Sequence, residues 1–155
     1  MVKVTGLLKW FRGERGSEVR AVDGIGFEVP EGRFFTLLGP SGCGKTTTLR
    51  CLAGLEKPDD GVIWIGERVV SSARDGIFVP PHQRGIGMVF QSYAIWPHMT
   101  VFDNVVFPLQ VGKRRFSREQ IRQKVEKALA TVQLNGLEDR PAPQLSGGQQ
   151  QRLAL

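Results

Sequence analysis

Apolar and polar residues alternate along Val2–Leu8, the period of a strand with one buried face. A second alternating run, Ile25–Val29, leads into the turn signal Pro30-Glu31-Gly32. Phe34–Leu38 is then a short, mostly apolar run, and Gly85–Phe90 is another; both predict buried strands. Between them Gly61–Ile65 and Glu67–Val70 flank Gly66 as a hairpin, and residues 71–83, with Pro80-Pro81, read as loop. One helix interrupts this β-rich half. It runs from Lys45 to Ala53, with Leu49 and Leu52 on one face, Gly54 placed to end it and Pro58 beyond.

After Gln91 the period becomes helical. Thr100 caps a short helix, Val101 to Phe107, with Asp103 favouring its positive end and Pro108 stopping it. Lys113-Arg114-Arg115 reads as a solvated turn. Ser117-Arg118-Glu119-Gln120 is a capping box, and Ile121, Val125, Ala128, Leu129 and Val132 follow at helical spacing as a core-facing stripe. The chain closes with a helix over Gln150–Leu155. No internal repeat is visible.

Composition narrows the class. Of 155 residues 41% are hydrophobic, enough to bury a core, and 19 Gly with 9 Pro indicate a loop-rich globular protein. No apolar run approaches a membrane span, and the N-terminus lacks a signal-peptide core. Two cysteines, Cys43 and Cys51, make neither a disulfide framework nor a zinc site, which favours a reducing, cytosolic compartment. The net charge of +6 is spread along the chain and selects no partner. His82 and His98 lack metal-ligand spacing and read as structural.

Chemistry concentrates in two motifs. Gly39-Pro40-Ser41-Gly42-Cys43-Gly44-Lys45-Thr46 matches G-x-x-x-x-G-K-[ST], after an expected strand and before an expected helix. The glycines permit a tight loop with inward N–H groups, and the helix N-terminus adds its positive end. Lys45 would reach β/γ-phosphates, and the Thr46 hydroxyl would ligate Mg²⁺. One hundred residues after Lys45, Leu145-Ser146-Gly147-Gly148-Gln149 opens a second helix with another anion-seeking end.

Together these motifs resemble the ATP-binding subunit of an ABC transporter, with Walker A and signature motifs in the family's order. The segment Phe90–Thr100, with Cys43, Thr47 and Thr48, is most similar to importer ATPases for polyamines, ferric iron, sulfate or sugars. The resemblance implies an α/β fold: a P-loop NTPase (RecA-like) core with an N-terminal antiparallel β-subdomain and an inserted helical subdomain. It divides the chain into residues 1–91, the β-subdomain and P-loop core, and 92–155, the Q-loop and helical subdomain. Gln91, at the end of the strand Gly85–Phe90, stands where the family's Q-loop glutamine falls, contacting Mg²⁺ and the attacking water. Ser92–Met99 would face the membrane domain. Phe11 is the candidate for the adenine-stacking aromatic, with core packing as its other reading.

The implied cofactors are ATP and Mg²⁺. The implied partners are a second ATPase subunit, as a homodimer, and membrane permease subunits, with a substrate-binding protein acting indirectly and no nucleic acid. The implied place is the cytoplasmic face of the inner membrane, held peripherally. The family's Walker B strand, catalytic glutamate, D-loop and switch histidine lie downstream of Leu155. No Asp here follows four apolar residues, so the expectation is a fragment, truncated before Walker B and inactive in hydrolysis alone. An inactive nucleotide-binding remnant and an ABC-type ATPase of translation are the alternatives. Repair or chromosome ATPases would need coiled-coil or zinc insertions that the hundred-residue spacing excludes, and a P-loop kinase or GTPase would leave Leu145–Gln149 as coincidence.

Overall fold

A computed structural model describes residues 1–13, 16–90, 94–112 and 114–155, which form two units, Met1–Met88 and Val89–Leu155. In the first, the alternating runs pair as strands longer than the alternation itself, β1 (Val2–Arg12) and β2 (Glu18–Val29). Val4 and Leu7 are both buried although three apart, and the register shifts between them, around Gly6 at φ +58°. The bulge resets the alternation, so Lys9 also points inward. β3 (Asp60–Ile65) and β4 (Arg68–Ser72) form the expected hairpin around Gly66. With β5 at Ile77–Phe78, the sheet has the order β2-β1-β3-β4-β5, and every neighbouring pair is antiparallel.

Three readings need correction in this unit. The stretch 71–83 contains β5 (Ile77–Phe78) and a single 3-10 turn, Pro81–Gln83. A two-residue strand has no period to detect. Phe34–Leu38 and Gly85–Phe90 are not strands: neither joins a ladder with any described residue, so neither is buried by one. Phe34 is 105% and Leu38 95% exposed, and Ile86 and Val89 are exposed as well. A strand exists through its neighbours' hydrogen bonds, and an apolar run alone cannot supply them.

α1 (Lys45–Ala53) matches its expected bounds, ending at Gly54 in the left-handed conformation at φ +77°. It lays Cys51 and, partly, Leu52 onto the sheet core of Val4, Leu7, Val22, Ile63 and Val70. Lys9 is buried among acceptors: its Nζ donates to Lys57 O at 2.9 Å and lies 3.1 Å from Glu56 and 3.4 Å from Asp59. The Trp10 amide donates to the Asp59 carboxylate at 2.9 Å, fastening β1 to the segment after α1.

The second unit is helical. α2 (Val101–Val111), α3 (Arg118–Thr131) and α4 (Gly147–Leu153) enclose Val101, Val106, Val125, Leu129, Leu134 and Leu145. The Thr100 hydroxyl accepts from Asp103 N at 3.1 Å, as its cap position requires. The next amides donate to the loop opposite, Val101 N to Arg140 O and Phe102 N to Glu138 O, both at 2.9 Å. The capping box at Ser117 and Gln120 is present. Pro108 does not stop α2; the helix continues through it to Val111. The apolar face that includes Val106 and Leu109 packs into the core, and that burial outweighs the loss of one backbone hydrogen bond at Pro108. Ala128, expected in the stripe of α3, is exposed; Val125 and Leu129 carry the contact. Arg114 and Arg115 are exposed as a solvated turn requires, and Lys113 lies outside the described residues.

Candidate functional site

The Gly-rich loop sits where chain geometry leaves no side-chain freedom. Gly42 and Gly44 have φ of +83° and +91°, in the left-handed region that L side chains rarely adopt. At Gly44 a Cβ would also drive into the carbonyl oxygen of Ala21 on β2. Gly44 is the N-cap of α1, yet no side chain caps the helix and no acid lies in its first turn. The first amides of α1 therefore remain available to an external anion, beside the positive end of the helix.

The Lys45 ammonium is folded back onto the loop. It donates to the carbonyls of Gly39 and Pro40, each at 2.7 Å, and lies 3.5 Å from Cys43 Sγ. The loop thus gathers Gly39, Pro40 and Cys43 around one cation. Ser41, Gly42, Cys43 and Thr46 are exposed, and Thr47 is half-buried. Thr48 is buried, with its hydroxyl donating to Gly44 O at 3.0 Å, which ties the loop's last glycine to the helix. Thr46 is the exposed hydroxyl of the first turn, suited by chemistry and place to a phosphate-bound divalent cation. Among the described residues no cluster of three or more His, Cys, Asp or Glu could hold a metal by itself. A metal here would come with the nucleotide's phosphates, as Mg²⁺ does.

Phe11 is near this loop by register. It pairs with Val19 on β2, two residues from Ala21, whose carbonyl abuts Gly44. The ring is 40% exposed and has Lys9 Nζ 5.1 Å from its centroid. An exposed aromatic face on β1, one strand over from the β2 residue that the loop abuts, is compatible with stacking on a base. Gln91, the expected Q-loop residue, lies outside the described residues, as do Ser92 and Tyr93.

In the second unit Ser146 caps α4. Its hydroxyl accepts from Gln149 N at 3.3 Å, while Gln149 Oε1 accepts from Ser146 N at 2.9 Å. This is a full capping box, and the pattern S-x-x-Q spells it in the sequence, although the motif was read there only for its anion affinity. With Gln in place of Glu, the first turn carries no negative charge. Gly147 and Gly148 are exposed and open the helix without side chains in front of it. His98 stands edge-on to Trp96 at 6.1 Å and His82 lies 3.3 Å from Gln83, and neither belongs to a metal cluster. Sequence reading missed Arg84, whose partners are up to 33 residues away.

Comparison with known proteins follows the same lines. The family model described as ABC transporter matches residues 22–155. The chain is 54% identical over 138 residues to the trehalose/maltose import ATP-binding protein MalK of Thermococcus litoralis, covering 89% of this chain and 37% of that protein. Over all 155 residues it is 46% identical to the spermidine/putrescine import ATP-binding protein PotA of Marinobacter nauticus, covering 38% of it. The Fe(3+) ions import ATP-binding protein FbpC of Escherichia coli O157:H7 is 51% identical over 135 residues, 86% of this chain and 36% of that one. The chain therefore spans little more than a third of the length of these relatives. Among solved structures, the dimeric, post-hydrolysis ATP-binding cassette MJ0796 bound to ADP and Pi superimposes with a TM-score of 0.84. The identity is 29%, over 99% of this chain and 67% of the cassette.

Proposed function

The chain belongs to the ABC transporter family, and on that premise we propose that it serves as the ATP-binding, energy-coupling subunit of an importer. The observation that carries this reading is the α1 N-terminus: uncapped amides, a lysine on the loop and no acid in the first turn. Residues 1–91 hold the nucleotide in this proposal, and 92–155 form the Q-loop and helical part that meets the membrane subunits.

The loop Gly39–Thr47 cradles the phosphates of ATP through its amides, with the Lys45 ammonium on the β- and γ-phosphates. Phe11 stacks on the adenine. Thr46 and Gln91 hold Mg²⁺, which supplies charge neutralisation between the phosphate oxygens. Gln91 also orients the attacking water. Ser146, Gly147, Gly148 and Gln149 act on a nucleotide bound by a second copy of the subunit, in a head-to-tail dimer closed by ATP. The N-termini of α1 and α4 belong to different units, and a two-fold pairing supplies each phosphate with one helix N-terminus from each copy. Binding and hydrolysis at the paired sites then drive transport through a separate permease, fed by a substrate-binding protein, with the subunit lying on the cytoplasmic face of the membrane. Residues 1–155 by themselves bind nucleotide without turning it over, because no Asp among them follows four apolar residues.

A fluorescent-nucleotide titration of the intact subunit tests the first half. Lys45→Ala abolishes most affinity for Mg-ATP with little effect on folding, and unchanged binding would remove the loop from the site. Sizing with light scattering tests the second half. Ser146→Arg leaves monomer binding nearly intact and prevents ATP-dependent dimerisation. Loss of monomer binding in that variant would mean that the motif serves its own nucleotide.

A further inference from the structure

The far end of α1 is held as closely as its phosphate-facing end, by a residue the motifs do not contain. Arg84 is only 5% exposed, and its guanidinium donates to three backbone carbonyls. Nη1 reaches Cys51 O and Leu52 O, both at 2.8 Å, and Nε reaches Val79 O at 2.8 Å. The first two belong to the last turn of α1, where carbonyls have no intrahelical partner. The backbone satisfies Arg50 O, through Leu55 N and Glu56 N at 2.9 and 3.2 Å, and reaches Cys51 O from Gly54 N at 3.2 Å. Arg84 supplies Leu52 O and adds to Cys51 O.

The cation is placed at the negative end of the helix dipole, and the Phe78 ring covers its other side with its centroid 5.2 Å from Cζ. No carboxylate pairs with Arg84 among the described residues, and buried Nη2 lacks a hydrogen-bond partner there. Burying a cation this way is costly, so filling space is a poor account of it; an apolar chain would fill the same volume at lower cost. What only a guanidinium provides is one rigid fork joining α1 to the end of β5. Gly54 keeps the fork's place open: a Cβ there would stand 2.5 Å from Nε and 2.7 Å from Cζ.

α1 has nine residues, a rigid rod of roughly 13 Å. Pinning its last turn therefore fixes where its first turn stands. We propose that Arg84 is a positioning residue of the nucleotide site, which holds α1 from its C-terminal turn and so sets the placement of Lys45 and Thr46 against the phosphates. This rests on the nucleotide-binding reading above. Arg84 touches no substrate and acts through the helix.

The test uses the intact subunit, Mg²⁺ and a fluorescent ADP analogue, with thermal unfolding and amide exchange measured alongside. Arg84→Met weakens binding at least tenfold at temperatures where the variant is folded, and Arg84→Lys recovers part of that loss. In both variants the amides of Thr46, Thr47 and Thr48 exchange faster, while those of β1 and β3 keep their protection. A folded Arg84→Met that binds within twofold of wild type overturns the proposal and leaves the nucleotide reading standing. Wild type that fails to bind the analogue overturns the nucleotide reading instead. If Arg84→Met does not fold, Arg84→Lys decides by the same limits. Unfolding of both variants overturns the proposal, since Arg84 is then a stability residue alone.

Discussion

Gly44 is a fixed position of the motif and Gly42 is not, and the structure shows what separates them. Both have positive φ, which costs an alanine about 1–2 kcal/mol. Around Gly42 a Cβ meets nothing within 4 Å, whereas at Gly44 it meets the Ala21 backbone, which no rotamer can move aside. Gly42→Ala therefore lowers stability by about 1–2 kcal/mol. Gly44→Ala costs clearly more and shifts the loop away from β2, weakening nucleotide binding as well. Urea midpoints of the two variants read the difference, and equal midpoints would mean that the β2 contact yields. Gly44, the fixed position, thus answers to both conformation and close approach, and Gly42 to conformation alone.

Elements were legible where their signals are local. Thr100, Ser117 and Gly54 mark helix ends because caps act within three or four residues, and α1 and α3 stand where the sequence puts them. Pro108 misled because its penalty is local and the burial that overrides it is not. It is exposed and interior to α2, so Pro108→Ala restores an amide donor without removing packing. That variant stabilises the second unit by about 1–3 kcal/mol, seen as a higher melting temperature. A lower one would assign Pro108 a packing role. Phe34–Leu38 and Gly85–Phe90 misled for the opposite reason: their apolarity is local, while the pairing that makes a strand is not. The Gly39–Thr46 loop was readable because it is a contiguous motif, whereas the Ser146 cap, spelled by S-x-x-Q, was there to be read and was not used. Arg84 was not readable, because nothing near position 84 announces carbonyls at 51 and 52.

Across the whole molecule pH reaches the two units through different groups. Burial pushes the Cys51 thiol up to about 11 from an ordinary 9.0. Burial alone would lower the Lys9 pKa, but Glu56 and Asp59 outweigh it and hold the ammonium above its ordinary value. Both raised groups lie in Met1–Met88. A raised folded pKa gives stability that is whole below the unfolded value and lost as pH climbs through the folded one. For Cys51 the loss is about 3 kcal/mol between pH 9 and 11. In Val89–Leu155 the Glu138 carboxyl is held low by its own amide and by Gly136 N–H, so its contribution fades as pH falls. Denaturation from pH 8 to 11 in Trp96→Phe, read by Trp10 and Trp64, shows the first unit weakening, less steeply once Cys51→Ala is added. An unchanged slope would acquit the thiol. Phe34–Leu38 bears on how these residues behave in quantity. It is five residues long, uncharged and free of proline, with two aromatic rings and no ladder to any described residue. Such a stretch templates cross-β growth from one molecule to the next. The net charge of +6 holds copies apart, and added electrolyte screens that repulsion. Light scattering from residues 1–155 is therefore expected to climb with added salt and with concentration at constant temperature, and a flat trace would clear Phe34–Leu38.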